Sequence, residues 1–538
     1  MTSFGRTTYA FALTVVAVAA LIAGGCTGKS STESTTSAGA GSSGSLPPQS
    51  WVVPVDVSAS PGPSQSPSPT QADWYNFGWQ TFVALNWPSV TPPPNAGGIV
   101  GLPDTSLAIG AAGSNQALIP TVWLTYRSVA NTMLAKGADP GAWSSNAGTL
   151  PATCSASPGP YPVAPGFQPM VLDMVSKFGP LPTSDILEAS GPPLVDQEGW
   201  YVTYDIRLNQ SEYTYIQQNK YYDAAVQIAA EKQSGKLNPF PRTGTETMFP
   251  SPLPSAAQFG ALEVKSAWRV LDPRRDQAII PRYYTQAGYF LQPDGQTCSG
   301  PSLFGLIGLH ILRLTPTTPA TWYWASFEQV DNVTAPPASP APSASPPSAT
   351  LAQAGTPNGK CNPPSPPYNT GPSPVPTGNI PWSGTNTPTP VCRVTPISAA
   401  IAAVNNSWRA QLAGTVWANY EMIGTVNPAV QNQPSPVPTI PISSAAVNTD
   451  ILANTTMETY VQGVGAGNGQ SCMDCHSFAA PQPMDNGPTS GTNQIFTFLL
   501  QNADTSASPA PGAQLTGHRH RLPLKVVQIL RSMTSQRK

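Results

Sequence analysis

The sequence predicts an α+β fold, in which a β-rich main domain holds a few helices and a proline-rich insertion, and a short, mostly helical or irregular segment follows at the C-terminus. Three patterns support this prediction. Residues 200–209 and 261–271 alternate apolar and polar side chains, as half-buried strands do. Residues 303–314 are apolar on both faces, which is typical of a central strand. Residues 74–85 carry apolar side chains at helical spacing.

The N-terminus has the pattern of an export signal. Arg6 precedes an uncharged apolar run, and small residues lead up to Cys26. The stretch "LIAGGC" resembles the lipobox of bacterial lipoproteins, so we expect a signal peptide over residues 1–25 and a lipid on Cys26. An ordinary signal peptide cleaved near "AVAA" is the alternative. Residues 26–72 are rich in Ser, Thr, Gly and Pro, and this composition predicts a disordered tether.

The β-rich domain is expected to comprise residues 73–332 and 393–430. The stretch that begins at Ser211 has helix-forming composition, and Ser211 is placed to cap it. Residues 397–412 have the pattern of a further helix, and residues 415–424 that of a strand.

Three strands of this domain follow one another along the chain, at residues 261–271, 303–314 and 321–330. If they pair in sequence order, four polar side chains meet on one surface of the sheet. These residues are Glu263, Lys265, His310 and Glu328. Such a surface is either a substrate site or the solvated face of the sheet, and the solvated face is the simpler interpretation.

The rest of the chain is expected to be less regular. Residues 333–392 are a low-complexity Pro/Ser-rich insertion, which the composition predicts to be disordered or only loosely stapled. Residues 443–503 form a C-terminal segment that carries a cysteine motif, and residues 504–538 form a tail.

Charge excludes one class of function. Charged residues make up only 10% of the chain, and the formal net charge is −2. Nucleic-acid binding is not expected, because there is no surplus of Lys and Arg to neutralise phosphates.

The cysteines suit an oxidising compartment. Setting aside Cys26, Cys472 and Cys475 leaves four of the seven cysteines, an even set suitable for two disulfides. These are Cys154, Cys298, Cys361 and Cys392. One of the three possible connectivities would staple the insertion through Cys361 and Cys392, and this leaves Cys154 with Cys298.

The stretch "SCMDCHSF" (471–478) carries the most specific chemistry. Two thiols one helical turn apart can each add to a haem vinyl group, and an imidazole directly behind the second thiol can then reach the iron. Cys472 and Cys475 are therefore the candidates for covalent haem attachment, and His476 for the proximal iron ligand. A zinc site would need a second ligand pair, and a redox dithiol should follow a strand rather than a glycine-rich loop.

Through these three residues, the C-terminal tenth of the chain resembles the c-type cytochromes. The stretches "WQTFVALNWP", "GALEVKSAW", "GLIGLHI", "WYWASFEQVDN" and "WANYEMIGT" are also similar to a bacterial cytochrome c family that brings no assigned reaction. The resemblance implies one haem c per chain and electron transfer through its iron. It also implies a redox partner protein in the cell envelope.

The sixth iron ligand is not set by the motif. Met484 lies only eight residues after His476, a short reach for passing around a porphyrin edge. Met533 has suitable spacing but lies in the tail. His310 and Met457 are therefore the distal candidates, and a buried, hydrogen-bonded structural role is the alternative for His310.

These observations predict an exported monohaem c-type cytochrome that carries out single-electron transfer in the cell envelope. We expect it to be anchored by lipid and to face the periplasm or the exterior. The alternative is a haem-dependent periplasmic oxidoreductase whose β-rich domain binds an unknown small-molecule substrate and passes electrons to the haem. A binding module that uses haem only for stability is a third hypothesis. No catalytic residue is assigned.

Overall fold

One large mixed sheet organises the part of the chain that the computed structural model describes. Every described residue belongs to a single unit, Leu46–Lys538. The described residues are 49–58, 69–90, 102–110, 119–143, 150, 152–154, 160–161, 163, 167–172, 194–243, 259–292, 297–316, 322–333, 351–353, 386–393, 396–428, 447–449, 453–459, 476 and 497–506.

The described residues contain eleven strands and four α-helices. The strands are β1 (Arg127–Ser128), β2 (Met170–Leu172), β3 (Thr203–Leu208), β4 (Leu262–Leu271), β5 (Thr285–Leu291), β6 (Cys298–Arg313), β7 (Tyr323–Gln329), β8 (Ala352–Gln353), β9 (Pro390–Val391), β10 (Tyr420–Pro428) and β11 (Val447–Thr449). The helices are α1 (Gln71–Leu85), α2 (Gln210–Asn219), α3 (Ala224–Ser234) and α4 (Ala399–Gln411).

The main sheet has the strand order β1-β3-β4-β6-β7-β10-β11. The neighbours in this order are antiparallel, whereas β2 pairs in parallel with β5, and β8 with β9 in a separate small sheet. Strand β6 is 16 residues long. Its first part pairs with β5 and its last part with β7, while β4 runs along the opposite edge. The sheet therefore curls around β6.

The predicted α+β class and β-rich domain are confirmed for the described residues. The three strands β4, β6 and β7 pair in sequence order and antiparallel, as expected. The helix expected from Ser211 onward is instead two helices. Asn209 caps α2 by accepting from the backbone N–H of Glu212, and α2 ends where Lys220 adopts a left-handed conformation with φ 57°. Asp223 then caps α3.

The first face of the sheet is covered by α1 and α4. Phe82 of α1 stacks on Phe327 of β7, with ring centroids 4.3 Å apart. The Trp79 indole N–H donates to Asn405 of α4 at 3.0 Å. Asn405 in turn donates to the Met422 backbone carbonyl of β10 at 2.8 Å. Buried aromatic packing, fixed by a few directional hydrogen bonds, thus sets how both helices sit on the sheet.

The second face, on the opposite side of the sheet, is covered partly by α2. Tyr213 and Ile216 of α2 pack with Leu208, Leu312 and Trp324 in one buried cluster. Alternate residues of β7 divide between the two faces, because Phe327 lies in the cluster of the first face and Trp324 in that of the second.

Two stretches that the composition predicts to be irregular contribute to the core. Within the predicted tether, Val53 is buried against the first-face cluster, and the Val55 carbonyl accepts from Arg313 at 3.3 Å. Within the predicted insertion, Leu351 and Val391 are fully buried. Apolar residues in a Pro/Ser-rich stretch are stabilised when they pack against the sheet. Local composition does not predict such packing, because the sheet is formed by distant parts of the chain.

The disulfide expected between Cys154 and Cys298 is present, with the two Cα atoms 5.3 Å apart. Cys392 is also disulfide-bonded. Its expected partner, Cys361, lies outside the described residues. No helix in the described ranges is both long and apolar enough to cross a membrane.

Gly78 tests the packing of the first face. A Cβ at this position of α1 would lie 2.5 Å from Tyr323 Oη and 2.6 Å from Met422 Cε, and both side chains are fully buried. Gly78→Ala should therefore lower the free energy of unfolding by about 1–3 kcal/mol, despite the higher helix propensity of alanine. Chemical denaturation measures the change, with Lys232→Ala at an exposed position of α3 as the control. A Gly78→Ala protein as stable as the wild type would contradict this packing.

Candidate functional site

His476 lies against aromatic side chains of the β-rich domain. Its ring meets Trp324 of β7 edge to face, with centroids 4.3 Å apart, and Phe498 at 4.9 Å. The imidazole is half-buried. The other motif residues, Cys472 and Cys475, lie outside the described residues. The same holds for Cys26, the predicted lipidation site. The structure thus brings the motif histidine to the second face of the sheet.

Phe498 is held in place by the post-motif segment, residues 497–506. Leu499 and Leu500 of this segment are buried in the cluster that contains Trp324. The Leu500 carbonyl accepts from Gln227 Nε2 at 3.0 Å, and the Asp504 carbonyl accepts from the Ala224 N–H at 2.9 Å. The chain downstream of the motif is therefore docked on α3.

The pre-motif segment, residues 453–459, docks on the same face, and all seven residues are buried. Tyr204 of β3 donates its hydroxyl proton to the Thr456 carbonyl at 2.7 Å. Asn454 Nδ2 donates to Ser326 Oγ at 3.1 Å and to the Phe327 carbonyl at 3.0 Å. A Cβ at Gly308 of β6 would clash with Thr456 Oγ1, so the glycine permits the close approach.

Glu328 of β7 fixes the pre-motif segment electrostatically. Its carboxylate is fully buried and accepts from the Thr455 N–H at 2.7 Å and the Thr455 hydroxyl at 2.6 Å. Arg393 Nη2 donates to the same carboxylate at 2.8 Å. A buried carboxylate is tolerated only when it is paired and hydrogen-bonded, and these three donors meet that requirement.

The two distal-ligand candidates lie near this segment. His310 is buried on β6, and its Nε2 is 3.4 Å from Glu458 Oε2. Cross-strand neighbours of His310 are Lys265 and Ser326. Met457 is fully buried in a third cluster on the second face, together with Tyr204 and Ile307. His310 is therefore the candidate whose strand position lies diagonal to Trp324, the residue that touches His476.

The four polar residues predicted to share a surface do lie on one face, because β4, β6 and β7 pair in sequence order with Lys265 and Ser326 opposite His310. The solvated-face interpretation is wrong for three of them. Glu263, His310 and Glu328 are 6%, 7% and 0% exposed. The reason is that α2 and the pre-motif segment cover this face, which no strand pattern reveals.

A second buried acidic group lies next to the post-motif segment. The carboxyls of Glu212 (α2) and Glu263 (β4) are in hydrogen-bond contact, and Glu263 also contacts the side chain of Thr497. Burial, and then the charge of Glu263, raises the pKa of Glu212 well above its usual range. Burial likewise raises the pKa of Glu263. A hydrogen bond between two carboxyls requires a proton on one of them, so we expect the pair to retain at least one proton.

Comparison with protein-family models, with curated proteins and with solved structures finds no match. Within the described ranges, no group of three or more His, Cys, Asp and Glu side chains could hold a metal ion.

Sequence reasoning missed the residues that surround His476 and His310. Asn454, Thr455 and Glu458 lie in "NTTMETY", and Phe498 follows a stretch without periodicity. The only available signal was the Asn-Thr-Thr run, whose short polar side chains favour turns that hydrogen-bond locally. That signal predicts a turn but does not indicate which surface the turn contacts.

The Glu212–Glu263 pair gives stability a defined dependence on pH. Because the folded state raises both pKa values above the ordinary value of 4.5, the stabilisation is greatest below that value and is lost as pH rises. We expect the wild-type free energy of unfolding to fall as pH rises above 4.5. The fall should be smaller in Glu212→Gln, whose uncharged amide can donate to the Glu263 carboxylate. Urea unfolding at a series of pH values measures both curves.

Asp196 contributes a fall of the same sign, since burial raises its pKa to about 6. Glu212→Gln should therefore reduce the slope without abolishing it. Asp139→Asn, which changes an exposed carboxylate, is the control and should keep the wild-type slope. Identical slopes for wild type and Glu212→Gln would show that the carboxyl pair does not retain a proton.

Proposed function

We propose that the protein is an exported monohaem c-type cytochrome that transfers single electrons in the cell envelope. One observation carries the proposal. His476, the histidine of the Cys-x-x-Cys-His motif, packs on Trp324 of the sheet and on Phe498 of the post-motif segment. A haem-attachment histidine needs an apolar wall beside it, because the macrocycle is large and hydrophobic.

The residues around His476 fit a haem group in two respects. Aromatic side chains flank the imidazole, and an imidazole nitrogen is an ordinary axial donor for iron. The Trp324 indole nitrogen is also buried and has no hydrogen-bond partner among the described residues. Buried donors without a partner are rare, so this N–H calls for an acceptor that the described part of the chain does not supply. A carboxylate side chain of a porphyrin is such an acceptor.

Each of the chain's own groups has a distinct task in this proposal. Cys472 and Cys475 hold the porphyrin through sulfur, and His476 provides the proximal nitrogen. Trp324 and Phe498 exclude water from the imidazole, which affects the reduction potential through the local dielectric. Bound haem supplies an iron that gains and loses one electron.

The state of the second face favours electron transfer over the oxidoreductase alternative. Glu328 is already bonded to Thr455 and Arg393, and His310 faces Glu458. Both side chains therefore contact other parts of the chain, which supports electron transfer.

Export and lipid anchoring through Cys26 are part of the proposal. The apolar run before Cys26, the lipobox-like "LIAGGC" and the Ser/Thr/Gly-rich residues that follow support them. The disulfide between Cys154 and Cys298 agrees with an oxidising compartment. A redox partner protein in the envelope would donate or accept the electron.

Haem attachment is tested in a host that matures c-type cytochromes. We expect purified wild-type protein to be coloured, with one covalently attached haem by mass spectrometry and a reversible one-electron couple by spectroelectrochemistry. Cys472→Ala together with Cys475→Ala should abolish covalent attachment. Cys392→Ala, which removes a disulfide cysteine, is the control and should still carry haem. Colourless wild-type protein with the mass of the bare or lipidated polypeptide would refute the proposal.

Trp324→Phe tests the unpartnered indole N–H, because phenylalanine retains an aromatic ring and removes the donor. Losing a hydrogen bond to a haem carboxylate should raise the pKa of that carboxylate by about one unit. Voltammetry over a range of pH should show this as a shifted pH dependence of the reduction potential. Trp74→Phe is the matched control, since it removes another buried indole N–H, on the first face, that has no hydrogen-bond partner within the described ranges. Equal behaviour of the two variants would remove Trp324 from the site.

A further inference from the structure

The pre-motif segment, residues 453–459, contacts three strands of the second face. It receives a hydrogen bond from Tyr204 of β3, passes closely over Gly308 of β6, and bonds Ser326 and Glu328 of β7. Apolar burial alone lets a short turn slide, because it has no directional preference. Contacts with three strands fix the segment in both directions of the sheet plane.

Glu328 supplies the strongest of these contacts. Two donors of Thr455 converge on a carboxylate that is fully buried, and Arg393 balances its charge. Hydrogen bonds to an ionised acceptor are roughly twice as strong as neutral ones. Removing one partner of such a buried group is costly, because the carboxylate cannot be resolvated by water.

Hydrogen bonds within the segment also connect its residues, so a shift of Thr455 would displace its neighbours. Asn454 Oδ1 accepts from the Thr456 N–H at 2.9 Å and from the Thr456 hydroxyl at 2.7 Å. The Asn454 N–H donates to Glu458 Oε2 at 3.0 Å. Because Glu458 faces His310, and Met457 lies between the bonded residues, both distal-ligand candidates depend on the same turn.

The segment lies next to the place where the motif histidine contacts the sheet. Trp324 touches His476, Ser326 bonds Asn454 and Glu328 bonds Thr455. These three β7 residues alternate along one face of one strand, and neighbours in such a row are about 7 Å apart. A group that extends from His476 along this face therefore meets the pre-motif segment.

We propose that the pre-motif segment is a wall of the haem site, and that Glu328 and Tyr204 are positioning residues that hold this wall in place. The inference rests on the proposed function, and it names the protein surface that limits access to the iron. Neither residue is required to touch the haem. Their effect passes through Thr455 and Thr456.

The test uses the full-length, haem-loaded protein and carbon monoxide as the probe of access. Thr455→Val keeps the side-chain shape and removes the hydroxyl donor to Glu328. Tyr204→Phe removes the donor to the Thr456 carbonyl from the other side of the segment. We expect each variant to raise the rate constant for carbon monoxide binding to the reduced protein about tenfold, the change that corresponds to losing one hydrogen bond of this strength.

Two further variants separate positioning from general stability. Thr455→Ser keeps a hydroxyl and should restore the slow rate. Asp205→Asn alters a buried carboxylate that is paired with Arg207 on β3, next to Tyr204 in sequence but directed to the other face. Asp205→Asn should lower the free energy of unfolding and leave the rate constant for carbon monoxide binding unchanged. If the pre-motif segment affected the rate only through overall stability, Asp205→Asn would raise the rate as well.

Wild-type rates in both Thr455→Val and Tyr204→Phe would overturn the inference while leaving haem binding intact. If Thr455→Val does not fold, the rate in Tyr204→Phe decides the question alone. A fast rate in Asp205→Asn equal to that in Thr455→Val would also overturn it, because access would then follow stability. Absence of haem from the wild type would instead remove the proposed function.

Discussion

The need to bury both faces of one sheet is the constraint on which the rest of this structure depends. Strands β4 and β7 are buried along nearly their whole length, and β6 is buried over residues 304–313, so helices or chain segments must cover each face there. Aromatic side chains of α1 and α4 cover the first face. On the second face, α2 covers one part, and the pre-motif and post-motif segments cover further parts.

This division explains why the motif histidine lies on the sheet. The pre-motif segment bonds to β3 and β7, and the post-motif segment bonds to α3. The pre-motif and post-motif segments are both held on one domain. They therefore fix the two ends of the intervening stretch, which contains His476, on the face that carries Trp324. The sheet and the helix α3 thus provide a rigid support on both sides of His476.

Covering the second face also buries charge, and the structure resolves this in two ways. Glu328 is stabilised by Thr455 and Arg393, so it remains an effective anchor. Glu212 and Glu263 instead lie next to each other, and burial raises the pKa of both carboxyls. The contrast follows from the available donors, because Thr455 and Arg393 donate to Glu328, whereas burial without such donors favours the protonated form of Glu212.

The sequence by itself predicted β3, β4, β6, β7 and β10, and the pairing of β4, β6 and β7 in sequence order. Period-two alternation in 261–271 and the apolar run in 303–314 reflect which faces of each strand are buried. This burial can be predicted from the pattern of adjacent residues in the sequence. Because β4, β6 and β7 pair in sequence order, one face of the sheet carries Glu263, His310 and Glu328. Only the tertiary structure decided that this face is covered, that Thr455 bonds Glu328 and that Trp324 meets His476. These contacts join residues more than a hundred positions apart, and "NTTMETY" has no periodicity that points to a partner.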